Sequence, residues 1–204
     1  MIQKELYFSV PFYYKDISDS KRINKEIIEN SIKLRKEYPK SLGRALELGW
    51  HSPDDIHKRD EFKEIVTQIT NAQKEIFNNE NYEKNSNPKI TSMWVNISDK
   101  YSHHKNHIHT NNIWSGTYYV QTPKDCGRIW FNDPKTEAHM IDVYYENHNC
   151  NSYQHREIYW EPVEGRIIFF PSYMTHEVET NLSNLEGQDG WRISISFNFI
   201  QERN

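Results

Sequence analysis

Apolar positions along the chain change their spacing near residue 89, recurring at three- and four-residue steps before it and at steps of two after it. A short extended stretch over residues 6–14, interrupted by Pro11, comes first. Ile23, Ile27, Ile28, Ile32 and Leu34 then mark one face of a helix that Asp19 or Ser20 can cap near Lys21. Phe62, Ile65, Val66, Ile69, Ala72 and Ile76 mark a second helix, capped by Asp60. Between them, Leu48-Gly49-Trp50-His51-Ser52 reads as a turn that leaves Trp50 exposed, and residues 78–88 read as an Asn-rich polar linker. Both helices are expected to cover one face of a sheet. Their apolar stripes suit a second copy of the chain equally well, so a homodimer is compatible with them.

Beyond the linker, residues 90–97, 113–120, 128–131, 157–160, 166–170, 175–180 and 192–200 form short β-branched or aromatic runs separated by Gly, Pro, Asn and Asp. That many strands in so short a stretch predict a jelly roll or a similar sandwich. The chain is expected to be one domain over residues 1–204, with a strand and helices over 1–88 and the β core over 89–204. Residues 133–154 interrupt that core as a long, polar, His- and Tyr-bearing insertion. Loops of this length in a compact domain commonly serve as lids or binding loops, and a substrate-selecting lid is expected here.

Composition narrows the class. Among 204 residues, 13 Tyr, 9 Phe and 6 Trp supply the apolar area that a modest aliphatic content leaves short. A net charge of -4 argues against a surface devoted to nucleic acid. The run over 167–170 is closed by Pro171, far short of a membrane span. The first ten residues carry Lys4 and Glu5 without the pattern of a secretory signal. Cys126 and Cys150 cannot form a disulfide framework and fit free thiols, so a cytoplasmic protein is expected.

The candidate chemistry lies in the histidines. His103, His104, His107 and His109 crowd one short segment, and in His107-Ile108-His109 an extended backbone would point two imidazoles to the same side. His176 follows an apolar strand and a turn much later in the chain. Two ligands from an early strand and one from a late strand form a three-point site that leaves coordination positions open. On the run from Arg192, polar Arg192, Ser194, Ser196 and Asn198 alternate with apolar residues. A guanidinium pointing inward there needs an anion, and its planar fork suits a carboxylate.

The segments Trp94-x-Asn96, His107-x-His109, residues 114–120 and Gly127-x-Ile129-x-Phe131-x-Asp133-Pro134 resemble the 2-oxoglutarate- and Fe(II)-dependent oxygenases of marine bacteria and their phages. So do Pro162-x-x-Gly165-x-Ile167-x-Phe169-Phe170-Pro171-Ser172, His176-x-Val178, Arg192-x-Ser194-x-Ser196-Phe197-Asn198 and, in the helical half, Gly49-Trp50-x-Ser52. The chain is more distantly similar to prolyl hydroxylases. The resemblance implies an α+β fold, a cupin-like double-stranded β-helix with N-terminal helices packed on one sheet. It also implies Fe(II) on His107, His109 and His176, and the distal carboxylate of 2-oxoglutarate held by Arg192, Ser194 and Tyr119, with Asn96 touching cosubstrate or substrate. It implies O2 as co-reactant, a small-molecule or peptidyl substrate, and a bacterial or phage-infected host cell as setting. One departure stands out: His109 occupies the position where the wider superfamily places Asp or Glu. Two other classes fit the residues, a three-His cupin-type dioxygenase or isomerase without 2-oxoglutarate, and a noncatalytic jelly-roll binding module. Metal content and the need for an anion at Arg192 separate the three.

Overall fold

The computed structural model describes residues 2–6, 8–43, 45–146 and 150–203. Its first sheet joins β1 (Tyr13–Asp16), β3 (Trp50–His51), β4 (Ser86–Ser98), β6 (Trp114–Gln121), β9 (Arg166–Pro171) and β11 (Arg192–Arg203), in the order β1-β9-β6-β11-β4-β3. The second sheet joins β2 (Leu46–Glu47), β5 (His103–His107), β7 (Ile129–Asn132), β8 (Glu157–Trp160) and β10 (His176–Val178), in the order β2-β5-β10-β7-β8. Every strand pair is antiparallel, and neighbours distant in sequence interleave as a double-stranded β-helix requires.

The step-of-two pattern in β4 and β11 separates two interiors. Met93, Val95 and Ile97 of β4 and Ile193, Ile195, Phe197 and Phe199 of β11 turn outward and are buried under the helices. On the opposite face, Ser194 stands beside Asn96, Ser196 beside Trp94 and Asn198 beside Ser92. Helices α1 (Ser20–Glu37) and α2 (Lys63–Asn79) complete the outer layer. Ile23, Ile27 and Leu34 of α1 and Ile65, Ile69, Ala72 and Ile76 of α2 join one cluster with the sheet. The stripes thus lie on the chain's own sheet. Full burial of each such side chain contributes about 1.5–3 kcal/mol.

Several local expectations are corrected. The stretch over 6–14 forms a strand only from Tyr13, because Pro11 has no N–H to offer a ladder; Tyr7 lies outside the described residues. Neither expected cap forms. Asp19 is the N-cap residue of α1, but its carboxylate accepts from Arg22 Nε at 2.7 Å, a charged donor that outcompetes the backbone. Asp60 opens a 3-10 turn, Asp60–Phe62, that leads into α2. The linker is shorter than expected, since α2 runs to Asn79 and β4 begins at Ser86. Trp50 is buried, only 2% exposed, because β3 pairs with β4 and sets the indole in the helix-covered core, where Nε1 donates to Tyr38 O at 2.7 Å.

Candidate metal centre

His107 stands directly opposite His176 in the β5–β10 pair. His109 lies two residues past the end of β5, and its N–H donates to Ser172 O at 3.0 Å, which turns the chain back over the same spot. One ring nitrogen from each of the three imidazoles lies within 4.8 Å of the others. His107 Nδ1 faces Lys105 O at 2.7 Å and His176 Nδ1 faces Met174 O at 2.8 Å. Both contacts place the ring hydrogen on Nδ1 and leave the Nε2 lone pair free for a cation. His109 Nε2 and His176 Nε2 are 3.3 Å apart. Nitrogens bound at right angles, each about 2.1 Å from one ion, would lie about 3 Å apart, so the spacing fits a shared metal.

The rings of His51, Trp94, His109 and His176 form a stack, with successive interplanar angles of 16°, 17° and 10°. His109 is thereby clamped between an indole and another imidazole although it lies outside a strand. Burial lowers the His109 pKa to about 4, with His107 beside it adding to the fall. Burial likewise holds His176 well below its ordinary value, and lowers His107. All three are therefore neutral at pH 7, the form that binds a metal.

From these histidines a cavity of about 600 Å³ runs between the two sheets to Arg192. Arg192 is 2% exposed, makes no ion pair among the described residues, and has an unpartnered Nε. A buried cation left in that state is costly, and a carboxylate of matching shape relieves the cost. Ser194 borders the cavity beside it. Tyr119 lies behind the guanidinium, with Arg192 Cζ 5.4 Å from its ring centroid and its buried hydroxyl unpartnered. Burial raises the Tyr119 pKa, so it stays a hydroxyl donor. Asn96 donates Nδ2–H to Ser196 Oγ at 3.0 Å, which leaves its Oδ1 unpartnered on the cavity side. An acceptor there suits a donor on substrate better than a carboxylate. Three imidazoles at one end and an unmet cation at the other fit a divalent metal and a dicarboxylate together.

Two features of the site leave little trace in the sequence. Leu42, Gly43, Ala45, Leu46, His51 and Asp54 line one edge of the cavity, whereas no described residue of the 133–154 insertion lines it. The insertion instead rests against the N-terminal segment, where the Lys4 ammonium lies 4.6 Å from the Tyr153 ring centroid. Residues 147–149 of the expected lid lie outside the described residues. The second feature is His104, which a bulge turns inward. Between the paired positions His176↔His107 and Val178↔His104, β5 advances three residues while β10 advances two. The only signal for that edge was the Gly49-Trp50-x-Ser52 motif; a bulge leaves none.

The model of the family described as "Putative 2OG-Fe(II) oxygenase" matches residues 92–198, which include the three histidines and Arg192. No curated protein matches the chain. Among solved structures, a prolyl-4-hydroxylase of Pseudomonas putida is similar at 12% identity, with TM-score 0.61 over 94% of this chain and 92% of its own. A Trichoplax adhaerens prolyl hydroxylase, solved with a hypoxia inducible factor peptide, is similar at 15% identity, with TM-score 0.62 over 93% and 83%. HygX of Streptomyces hygroscopicus, solved with nickel and 2-oxoglutarate, is similar at 10% identity, with TM-score 0.61 over 93% and 82%. At such identities the likeness shows a shared fold, the double-stranded β-helix. The family match sets aside both the cupin without 2-oxoglutarate and the noncatalytic module. This chain belongs to the 2OG-Fe(II) oxygenase family, enzymes that use Fe(II) and 2-oxoglutarate.

Proposed function

We propose that this oxygenase is a hydroxylase that holds Fe(II) on His107, His109 and His176, fixes 2-oxoglutarate against Arg192, Ser194 and Tyr119, and oxidises a C–H bond of a polar small molecule or peptide side chain. The observation that carries this reading is the pairing of ends: three converging neutral imidazoles face a buried, unpaired guanidinium along one cavity. When bound, Fe(II) and 2-oxoglutarate supply O2 activation coupled to decarboxylation of the cosubstrate to succinate.

The chain's own residues do the positioning. The Lys105 and Met174 carbonyls hold His107 and His176 in the tautomer that presents Nε2. Trp94 braces His109. Arg192 sets the direction of the cosubstrate, while Phe170, Ile129 and Val178 line the passage with apolar surface that excludes water. With no carboxylate in the triad, the site lends the metal no negative charge, so the dianionic cosubstrate meets an undiminished field. Ser92, Asn96, Thr110, Asn112 and Asn198 also line the cavity with neutral hydrogen-bonding groups, which supports a polar substrate. The reading extends to a cytoplasmic setting, supported by Cys126 and Cys150 both being free thiols.

The test is succinate formation from 2-oxoglutarate with Fe(II) in air, first alone and then with polar amino acids and short peptides. Slow basal conversion, raised by a true substrate and abolished in His107→Ala and His176→Ala, is expected. Basal conversion that survives in both variants contradicts the reading.

A further inference from the structure

We infer that His104 is a cosubstrate-positioning residue, donating from Nε2 to the distal carboxylate of 2-oxoglutarate from the sheet opposite Arg192. The inference rests on the reading that Arg192 marks the distal end of the cosubstrate.

The β5 bulge is what brings His104 into play. In a regular strand, residues three apart point to opposite faces, so a strand that directs His107 inward would send His104 outward. The extra residue changes this. Lys105 and Asn106 are both exposed, and His104 turns to the same side as His107, with ring centroids 6.4 Å apart. Bulges are the usual device for re-aiming one side chain beside an active site.

The surroundings of His104 then define what it can bind. It lines the metal cavity, and its Nε2 is buried without a hydrogen-bond partner. Arg192, on the facing sheet, is the charge that acts on it most strongly, ahead of His107 and His176. At this end of the cavity His104 Nε2 and Arg192 Nε are both unpartnered, contributed by strands of the two facing sheets. Buried polar atoms are rarely left unmatched, and two potential donors facing one space from opposite sheets converge on an acceptor. A carboxylate has enough lone-pair sites for both.

The experiment is calorimetric titration of the Mn(II)-loaded protein, which binds without turnover, with 2-oxoglutarate and separately with 2-oxobutyrate, which keeps the chelating keto acid and lacks the distal carboxylate. Loss of one hydrogen bond to a charged group should weaken 2-oxoglutarate binding in His104→Leu about ten- to hundredfold. Binding of 2-oxobutyrate and of Mn(II) should be unchanged, and His104→Gln, which carries an N–H at a similar reach, should recover most of the lost affinity. Wild-type affinity in His104→Leu, equal loss for both keto acids, or no recovery in His104→Gln overturns the inference. Arg192→Met keeps the two readings apart. If that variant binds 2-oxoglutarate normally while His104→Leu does not, the clamp assigned to Arg192 fails and the role of His104 stands.

Discussion

Arg192→Met gives the sharpest consequence of the buried, unpaired guanidinium. Without cosubstrate the side chain is 2% exposed and faces no carboxylate among the described residues, so a charge-free chain of similar length should leave the protein as stable as before or more so. With cosubstrate the balance reverses. Removing one partner of a buried pair costs about 3–5 kcal/mol, a loss in affinity of roughly a hundredfold to a few thousandfold. Thermal melts of the Mn(II)-loaded protein read both effects. Cosubstrate at a hundredfold excess over the wild-type Kd stabilises by about 2.7 kcal/mol. For a chain of this length that raises the melting temperature by roughly 5–11 °C. At the same concentration the variant, now at or below its own Kd, should gain no more than about 2 °C. A variant that keeps the full cosubstrate-induced shift refutes the clamp. So does a cosubstrate-free variant destabilised by more than about 3 kcal/mol, which would mean the guanidinium already had a partner.

Further outcomes follow from the same geometry. The metal-free protein should lose stability as the pH falls below about 6.5, where unfolded histidine takes up protons that buried His109 refuses until about pH 4. Melts in chelator should show that slope, and His109→Phe should make it shallower. Gly116→Ala should cost about 1–3 kcal/mol in urea denaturation, because its Cβ would lie 2.3 Å from Ile168 O and 2.5 Å from the Phe197 ring. Glu179 follows β10 and accepts from Arg128 and from Trp130 Nε1, contacts that lower its pKa to about 2, the Arg128 bond most of all. Its contribution is present above the ordinary carboxylate range near 4.5 and lost as the pH falls toward 2, so Glu179→Gln should flatten stability over that window. With the pair about one-third exposed, the effect should be about 1 kcal/mol.

What the sequence disclosed and what it concealed divide along physical lines. Periodicity reports which face of an element is buried, so α1, α2 and the alternation of Arg192, Ser194, Ser196 and Asn198 were all legible. Short, strongly apolar strands such as β9 were legible for the same reason. Trp50 was misjudged because β3 is two residues long, too short to show a period, and its burial depends on pairing with Ile97 far along the chain. His104 was hidden because parity arguments assume a regular strand, and the β5 bulge shifts the parity. A substrate-selecting lid is expected of the insertion because length signals a functional loop without saying where it rests, and none of its described residues lines the cavity. The edge that Leu46 and His51 do line is fixed by β2 and β3 joining different sheets, a long-range fact.

Iron on three imidazoles, with 2-oxoglutarate held at Arg192, would carry a spectroscopic signature. Anaerobic titration of the metal-free protein with Fe(II) and 2-oxoglutarate reads it through the visible metal-to-ligand charge-transfer band. A band that requires both additions, and that weakens in His109→Ala as well as in Arg192→Met, is the predicted result. A band unchanged in His109→Ala would show that the second histidine is not a ligand, and iron binding with no band at all would rule out 2-oxoglutarate on the metal.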